Sequence, residues 1–155
     1  MRKLFALLAL LLGFVLPVSA AHLVGGEITY TCVGTNQYQV KLRIYRDCFS
    51  GGAQFDNTVN FSVYNLAGTL VTNPTVSKGP TVNVPAGTGN PCLTTPPNIC
   101  TEYAEYIATL TLPPVVGGYT ISYQRCCRNS TISNITNPGS RGNTYTVKIP
   151  SMDNT

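Results

Sequence analysis

The strongest constraint in this chain is an alternation of period two. Tyr38, Val40, Leu42 and Ile44 are apolar, and Gln39, Lys41 and Arg43 sit between them. Successive side chains of an extended strand point to opposite faces, so this segment must bury one face and wet the other. Just upstream, Ile28, Tyr30 and Cys32 share a face against Glu27, Thr29 and Thr31. The intervening Gly34-Thr35-Asn36 reads as a tight turn, which makes the two segments a β-hairpin.

The pattern recurs along the chain. Val59, Phe61 and Val63 alternate with Asn60, Ser62 and Tyr64. A Pro- and Gly-bearing region follows from Asn73 to Pro97, with short strands expected around Leu70 and Val82. Tyr106, Ala108, Leu110 and Leu112 form a strand ending at Pro113-Pro114. After Gly117-Gly118, Tyr119, Ile121 and Tyr123 share a face. A polar loop covers 129–143, and Tyr145, Val147 and Ile149 make a last strand. No helical stripe competes. Seven or so short strands separated by turns predict an all-β fold, an immunoglobulin-like antiparallel β-sandwich. Uneven strand spacing makes a closed barrel the poorer fit.

The first residues have the three parts of a secretory signal. Arg2 and Lys3 are the positive end, Leu4 to Leu16 the apolar run, and Val18 to Ala21 the small residues before the cut. The run is about 13 residues, short of the roughly 20 that span a bilayer as a helix. Residues 1–20 are therefore expected to be a signal peptide, with cleavage after Ala20 or Ala21. Residues 21–150 form one disulfide-stapled sandwich domain that is not membrane-spanning. Residues 151–155 are read as the start of a linker or a truncated end. Export implies a secreted or cell-surface location.

Formal net charge is +4, and loss of Arg2 and Lys3 lowers it to +2. The remaining charges form no basic stripe, so nucleic acid is not an expected partner.

All six cysteines follow the signal. In an oxidising compartment an even number reads as three disulfides, here among Cys32, Cys48, Cys92, Cys100, Cys126 and Cys127. A zinc site is the weaker reading, since there is no C-x-x-C pair and only one His. Six cysteines allow 15 pairings, and the hairpin removes several. Cys32 lies beside its turn and Cys48 at its far end, roughly 30 Å apart at about 3.3 Å per residue. A disulfide needs Cα atoms within about 7 Å, so these two cannot join. At most one of them reaches the adjacent Cys126-Cys127. Cys127 is in phase with Tyr119, Ile121 and Tyr123, so it is expected to face the core and bond Cys32 or Cys48. Cys126 is expected to face outward and bond Cys100 or Cys92. A bond between Cys126 and Cys127 would need a very small ring and is least favoured.

The side chains offer little for catalysis. Cleavage after Ala21 would expose His22 as a terminal residue of the kind that chelates copper in secreted mono-oxygenases, but such a site needs a second imidazole and the chain has one His. A Ser–His–Asp triad would depend on that same residue. Glu102 and Glu105 are the nearest approach to paired carboxylates for glycoside cleavage, and they read as solvated edge charges. No cofactor or metal is called for, and the chain reads as a non-enzyme. Tyr30, Tyr38, Tyr119, Tyr123 and Tyr145 are assigned to the core. Tyr45 and Tyr64 point outward and are candidate ligand contacts. Asn60-Phe61-Ser62, Asn129-Ser130-Thr131 and Asn134-Ile135-Thr136 have the form of glycosylation sequons.

Four segments go together: AHLVGGEITYTC (21–32), YQVKLRIYRDC (38–48), PCLTTPPNIC (91–100) and GGYTISYQRCCRNSTISNITNPG (117–139). They resemble the N-terminal region of large secreted surface proteins of Bacteroidetes. Those proteins carry PKD-like or other immunoglobulin-like repeats and a gliding-motility-associated or type IX secretion sorting domain. The likeness covers nearly all of the chain after the signal, and the double-cysteine CCRN is its most specific part. It implies an adhesin-like surface role with no catalytic residues to carry over. Neither repeats nor a sorting domain occur in these residues, so the chain is expected to be the leading domain or a fragment of a longer protein. Expected partners are other surface proteins or, in the rival reading, an extracellular polysaccharide held by exposed Tyr and the 129–143 loop.

Overall fold

The computed structural model describes residues 23–49, 52–87, 92, 94, 97–129 and 132–151. The expected signal peptide, both cleavage positions (Ala20 and Ala21), His22 and residues 152–155 lie outside the described residues. No helix among the described residues is long and apolar enough to cross a membrane.

The alternating segments become strands β1 (Leu23–Gly34), β2 (Gln37–Asp47), β3 (Thr58–Asn60), β4 (Ser62–Tyr64), β5 (Leu70–Thr72), β6 (Thr75–Val84), β7 (Thr101–Thr111), β8 (Tyr119–Cys126) and β9 (Gly142–Ile149). They build two antiparallel sheets, a five-stranded one in the order β1-β2-β7-β6-β3 and a four-stranded one in the order β5-β4-β8-β9. Two such sheets with inward faces apposed make a β-sandwich, the architecture of immunoglobulin-like domains.

The first hairpin forms as its pattern dictates. Cys32 lies opposite Tyr38 and Ile28 opposite Leu42, and Asn36 adopts a left-handed φ of 58° in the turn. Tyr38, Val40, Leu42 and Ile44 are buried, the last three completely. Each fully buried aliphatic side chain stabilises the fold by about 1.5–3 kcal/mol relative to exposure. With Tyr106 beside them on β7, they join Phe61, Val63, Ile121 and Tyr123 in one core.

Nine strands form among the described residues where about seven were expected, and one of the additional strands arises because a single apolar run serves both sheets. Val59, Phe61 and Val63 all point inward, yet β3 pairs with β6 and β4 with β5 and β8. The chain crosses between sheets at Phe61, whose N–H donates to the Pro74 carbonyl instead of a ladder partner (3.0 Å). The loose region contains one long strand, β6. Its pairing with β7 breaks between Lys78 and Thr81, where Pro80 has no N–H to contribute. On the opposite side β1 and β9 close the sandwich. A Cβ on Gly26 would come within 3.0 Å of the Tyr145 ring and 2.8 Å of the Arg43 carbonyl, so only glycine lets that ring lie over β1.

The interior is graded along its length. Near the hairpin turn it holds Tyr38, Leu110, Leu112 and Tyr119, and the Tyr119 hydroxyl donates to the Pro113 carbonyl (2.7 Å). At the other end the inward positions of β2, β7 and β8 carry Arg46, Glu102 and Arg125. Arg46 is buried, pairs with Glu102, donates from Nη1 to the carbonyls of Gly52 (3.0 Å) and Ala53 (2.9 Å), and lies over the Phe55 ring.

Two disulfides bind that end, and they correct the expectation of three bridges. Cys48–Cys100 extends the β2–β7 ladder by one pair, with Cα atoms 5.0 Å apart and the Cys48 N–H donating to the Cys100 carbonyl (3.0 Å). Closing 52 residues of sequence, it stabilises by about 4 kcal/mol in a chain-entropy account. Cys126 bonds Cys127 across a cis peptide, so neither reaches Cys100, Cys92, Cys32 or Cys48. Cys126 is exposed, as its phase required, but Cys127 is only half-buried because β8 ends there. The chain then leaves β9: Arg128 forms a parallel bridge with Leu23, and the Asn129 N–H donates to the Leu23 carbonyl (3.1 Å). Cys32 is exposed and stands outside both bridges, as does Cys92.

Candidate functional site

Two surfaces gather polar and aromatic groups, one on each sheet. The first is the solvent face of the five-stranded sheet. Register places Tyr45 opposite Tyr103, Arg43 opposite both Glu105 and Glu27, and Val82 beside Tyr103. The Tyr45 and Tyr103 rings lie 5.7 Å apart at 52°, and the Arg43 guanidinium sits 4.9 Å over Tyr103. Arg43 donates to Glu105 from Nε (2.9 Å) and Nη2 (2.5 Å), with Glu27 at 3.5 Å. Lys41 is 3.9 Å from Glu105. Hydrogen bonding to Tyr45, then to Glu105, pushes the Arg43 pKa above its already high ordinary value, so it is a fixed cation. Exposed Val82 and Ile107 extend the patch. Rings braced by a guanidinium offer a flat contact area that loses little side-chain freedom on binding.

The second surface is a cleft of about 350 Å³ between β3–β4 and β8. Asp56 and Arg125 form its charged end, 3.3 Å apart. The Tyr123 hydroxyl reaches the Asp56 carboxylate at 3.5 Å, and the Tyr106 hydroxyl donates to the Asp56 carbonyl at 2.7 Å. Burial, then the Asp56 charge, pushes the Tyr106 pKa up to about 12. Burial also raises that of Tyr123. Arg125 donates from Nη2 to the Gln54 carbonyl (3.2 Å), while its Nη1 is buried without a hydrogen-bond partner. Thr58, Val59, Asn60, Ser62, Tyr64, Asn73, Ser122 and Gln124 complete the walls.

The two tyrosines read from sequence as candidate contacts are thus separated. Tyr45 stands on the five-stranded sheet and Tyr64 in the cleft of the other. Both are half-buried. The 129–143 loop joins neither; it folds over the start of β1, pinned by the Arg128 N–H to the carbonyls of Arg141 (3.0 Å) and Pro138 (3.2 Å). Asn129 is buried, so that sequon has no exposed acceptor, whereas Asn60 and Asn134 are exposed.

Glu102 and Glu105 do not form a carboxylate pair. They lie on opposite faces of β7, each bonded to its own arginine: Glu105 is on the solvent side, whereas Glu102 turns inward, against the expectation of a solvated edge charge. Among the described residues, no group of three His, Cys, Asp or Glu is placed to hold a metal ion.

Sequence reasoning missed Tyr103, Glu105, Asp56 and Arg125 as members of these surfaces. For Tyr103 and Glu105 a signal existed: both are out of phase with inward Tyr106. Asp56 lies outside any strand, and nothing in its neighbours announces it.

Comparison with protein-family models, curated proteins and solved structures returned no match.

Proposed function

We propose that this chain is a non-enzymatic extracellular module, secreted or held at a cell surface, that makes adhesin-like contacts or forms part of a surface assembly. The observation supporting it most is the braced Tyr45–Tyr103–Arg43 patch on an open sheet face. Its aromatic rings and arginine are the residue types that dominate protein contact surfaces, and its charges are already satisfied by neighbours. Both disulfides suit an oxidising compartment.

The test uses fluorescently labelled residues 21–155 on intact source cells, with antibody detection of the native protein outside the cytoplasm. The expected result is cell binding that falls to background in a Tyr45→Ala/Tyr103→Ala double variant and after protease treatment of the cells. Native protein confined to the cytoplasm, or cell binding indifferent to the double variant, overturns the reading.

A second reading, recognition of a polysaccharide, is favoured by the cleft that contains Tyr64. It predicts cell binding that survives protease and is lost after periodate oxidation of glycans.

A further inference from the structure

We infer that the cleft between β3–β4 and β8 is a binding site for a neutral pyranose residue. The inference rests on the polysaccharide reading and gives it a location and a ligand class.

Charge is the first argument. Among the described residues that line the cleft, the one cation and the one anion, Arg125 and Asp56, neutralise each other at 3.3 Å. A phosphate or carboxylate meets no net positive field there, and a metal ion finds a single carboxylate already engaged. What remains for a ligand is uncharged. The Asn73 Oδ1 accepts from Ser62 (3.2 Å) and the Asn60 Oδ1 accepts from Thr75 (2.8 Å). With each amide oxygen engaged by a hydroxyl, the NH₂ groups are the donors that these two side chains have left to offer. Gln124 adds an amide with both a donor and an acceptor. Adjacent ring hydroxyls, each able to donate and accept, match such a set in a way that an inorganic ion does not.

Shape is the second argument. The volume of about 350 Å³ lies at the small end of ligand pockets. The walls are mostly polar but include Val59, Tyr123 and Tyr64, and the Tyr64 ring offers an apolar surface to the C–H face of a sugar ring. The third argument is Arg125. Its side chain is mostly buried, and Nη1 finds no acceptor in the protein. A buried donor left unpaired costs about 1–3 kcal/mol, and Arg125 lines the cleft, so a ligand oxygen that reaches this guanidinium is favoured.

The experiment is saturation-transfer NMR on residues 21–155 with methyl glucopyranoside, methyl galactopyranoside and methyl mannopyranoside, beside inorganic phosphate followed by its own resonance. Transfer to ring C–H protons of at least one pyranoside is expected, with no broadening of phosphate. Tyr64→Ala and Gln124→Ala should each weaken that sugar by about tenfold or more, and Asn73→Ala should do the same if either variant loses its dispersed spectrum. Gln39→Ala, on the other sheet, should leave it unchanged. Three outcomes overturn the site: no transfer to any pyranoside, affinity indifferent to all three cleft variants, or phosphate binding instead. Loss in Tyr45→Ala with retention in Tyr64→Ala also overturns it, moving the sugar to the opposite face while leaving the surface-module proposal standing.

Discussion

Strands β2 and β7 carry two arginine–glutamate pairs three positions apart, one on each face of the five-stranded sheet. Arg43 and Glu105 face solvent, their side chains 28% and 27% exposed. Arg46 and Glu102 face the interior at 7% and 12%. The chemistry and the strands are the same, so only the surroundings differ. Outside, water and the neighbours Glu27, Lys41 and Tyr103 share the load, and the pair serves mainly to hold rings in place. Inside, Arg46 also ties down the carbonyls of Gly52 and Ala53, and its loss of hydration is offset by this one carboxylate and those carbonyls. A buried ion pair adds little net stability over an apolar substitute, but breaking it strands a charge.

The largest effect should therefore come from Glu102→Ala, which leaves Arg46 buried without its anion. A loss of about 3–5 kcal/mol is expected in urea unfolding; a loss below about 1 kcal/mol would erase the distinction between the two faces. Next is the staple beside the inner pair. Cys48→Ser with Cys100→Ser should cost about 2–4 kcal/mol, whereas Cys126→Ser with Cys127→Ser should cost much less, because that ring joins no distant parts of the fold.

The third prediction concerns alkali and the inner face alone. An unfolded tyrosine ionises near 10, while Tyr106 holds its proton to about 12. Between those values the unfolded state binds fewer protons than the native one, so stability is complete below about pH 10 and falls as pH rises toward 12. The drop is on the order of 2 kcal/mol from this group. Tyr106→Phe should flatten that part of the unfolding-versus-pH curve, and an unchanged slope would show that burial of this hydroxyl is not the cause. The smallest effect belongs to the outer pair: Glu105→Ala should cost less than about 1 kcal/mol, and that difference should shrink further in high salt.

This contrast also shows what the sequence could reveal. Alternation assigns faces, and the phase of Tyr38, Val40, Leu42 and Ile44 continues to Arg46, just as that of Ala104 and Tyr106 runs back to Glu102. Reading residue type before phase leaves those charges in solvent. Reading phase first puts them inside, where they must meet. The sandwich and its first hairpin were legible because apolar period and turn chemistry agree. The sheet change at Phe61 was not, since both sheets ask the same inward residue of it. The adjacent-cysteine bond was missed for a related reason: opposite faces for Cys126 and Cys127 follow only while the strand continues, and β8 ends at Cys126. The cleft was hidden because its walls come from β3, β4, β8 and the segment around Asp56, which no local pattern connects.

The pairing of β2 with β7 bears on how such a chain behaves as it emerges. Seen from the N-terminus, the β1–β2 hairpin appears early with an inner face that is apolar except for Arg46. Its neighbour β7 begins only at Thr101, and the bond that fastens the Leu23 carbonyl awaits Asn129. Contacts so far apart in sequence are slow to form. Until most of the chain is out, the hairpin can satisfy its inner face only transiently, by borrowing from whatever holds unfolded chains. A topology that postpones its own completion leaves the early hairpin without its neighbours until the last strands have been made.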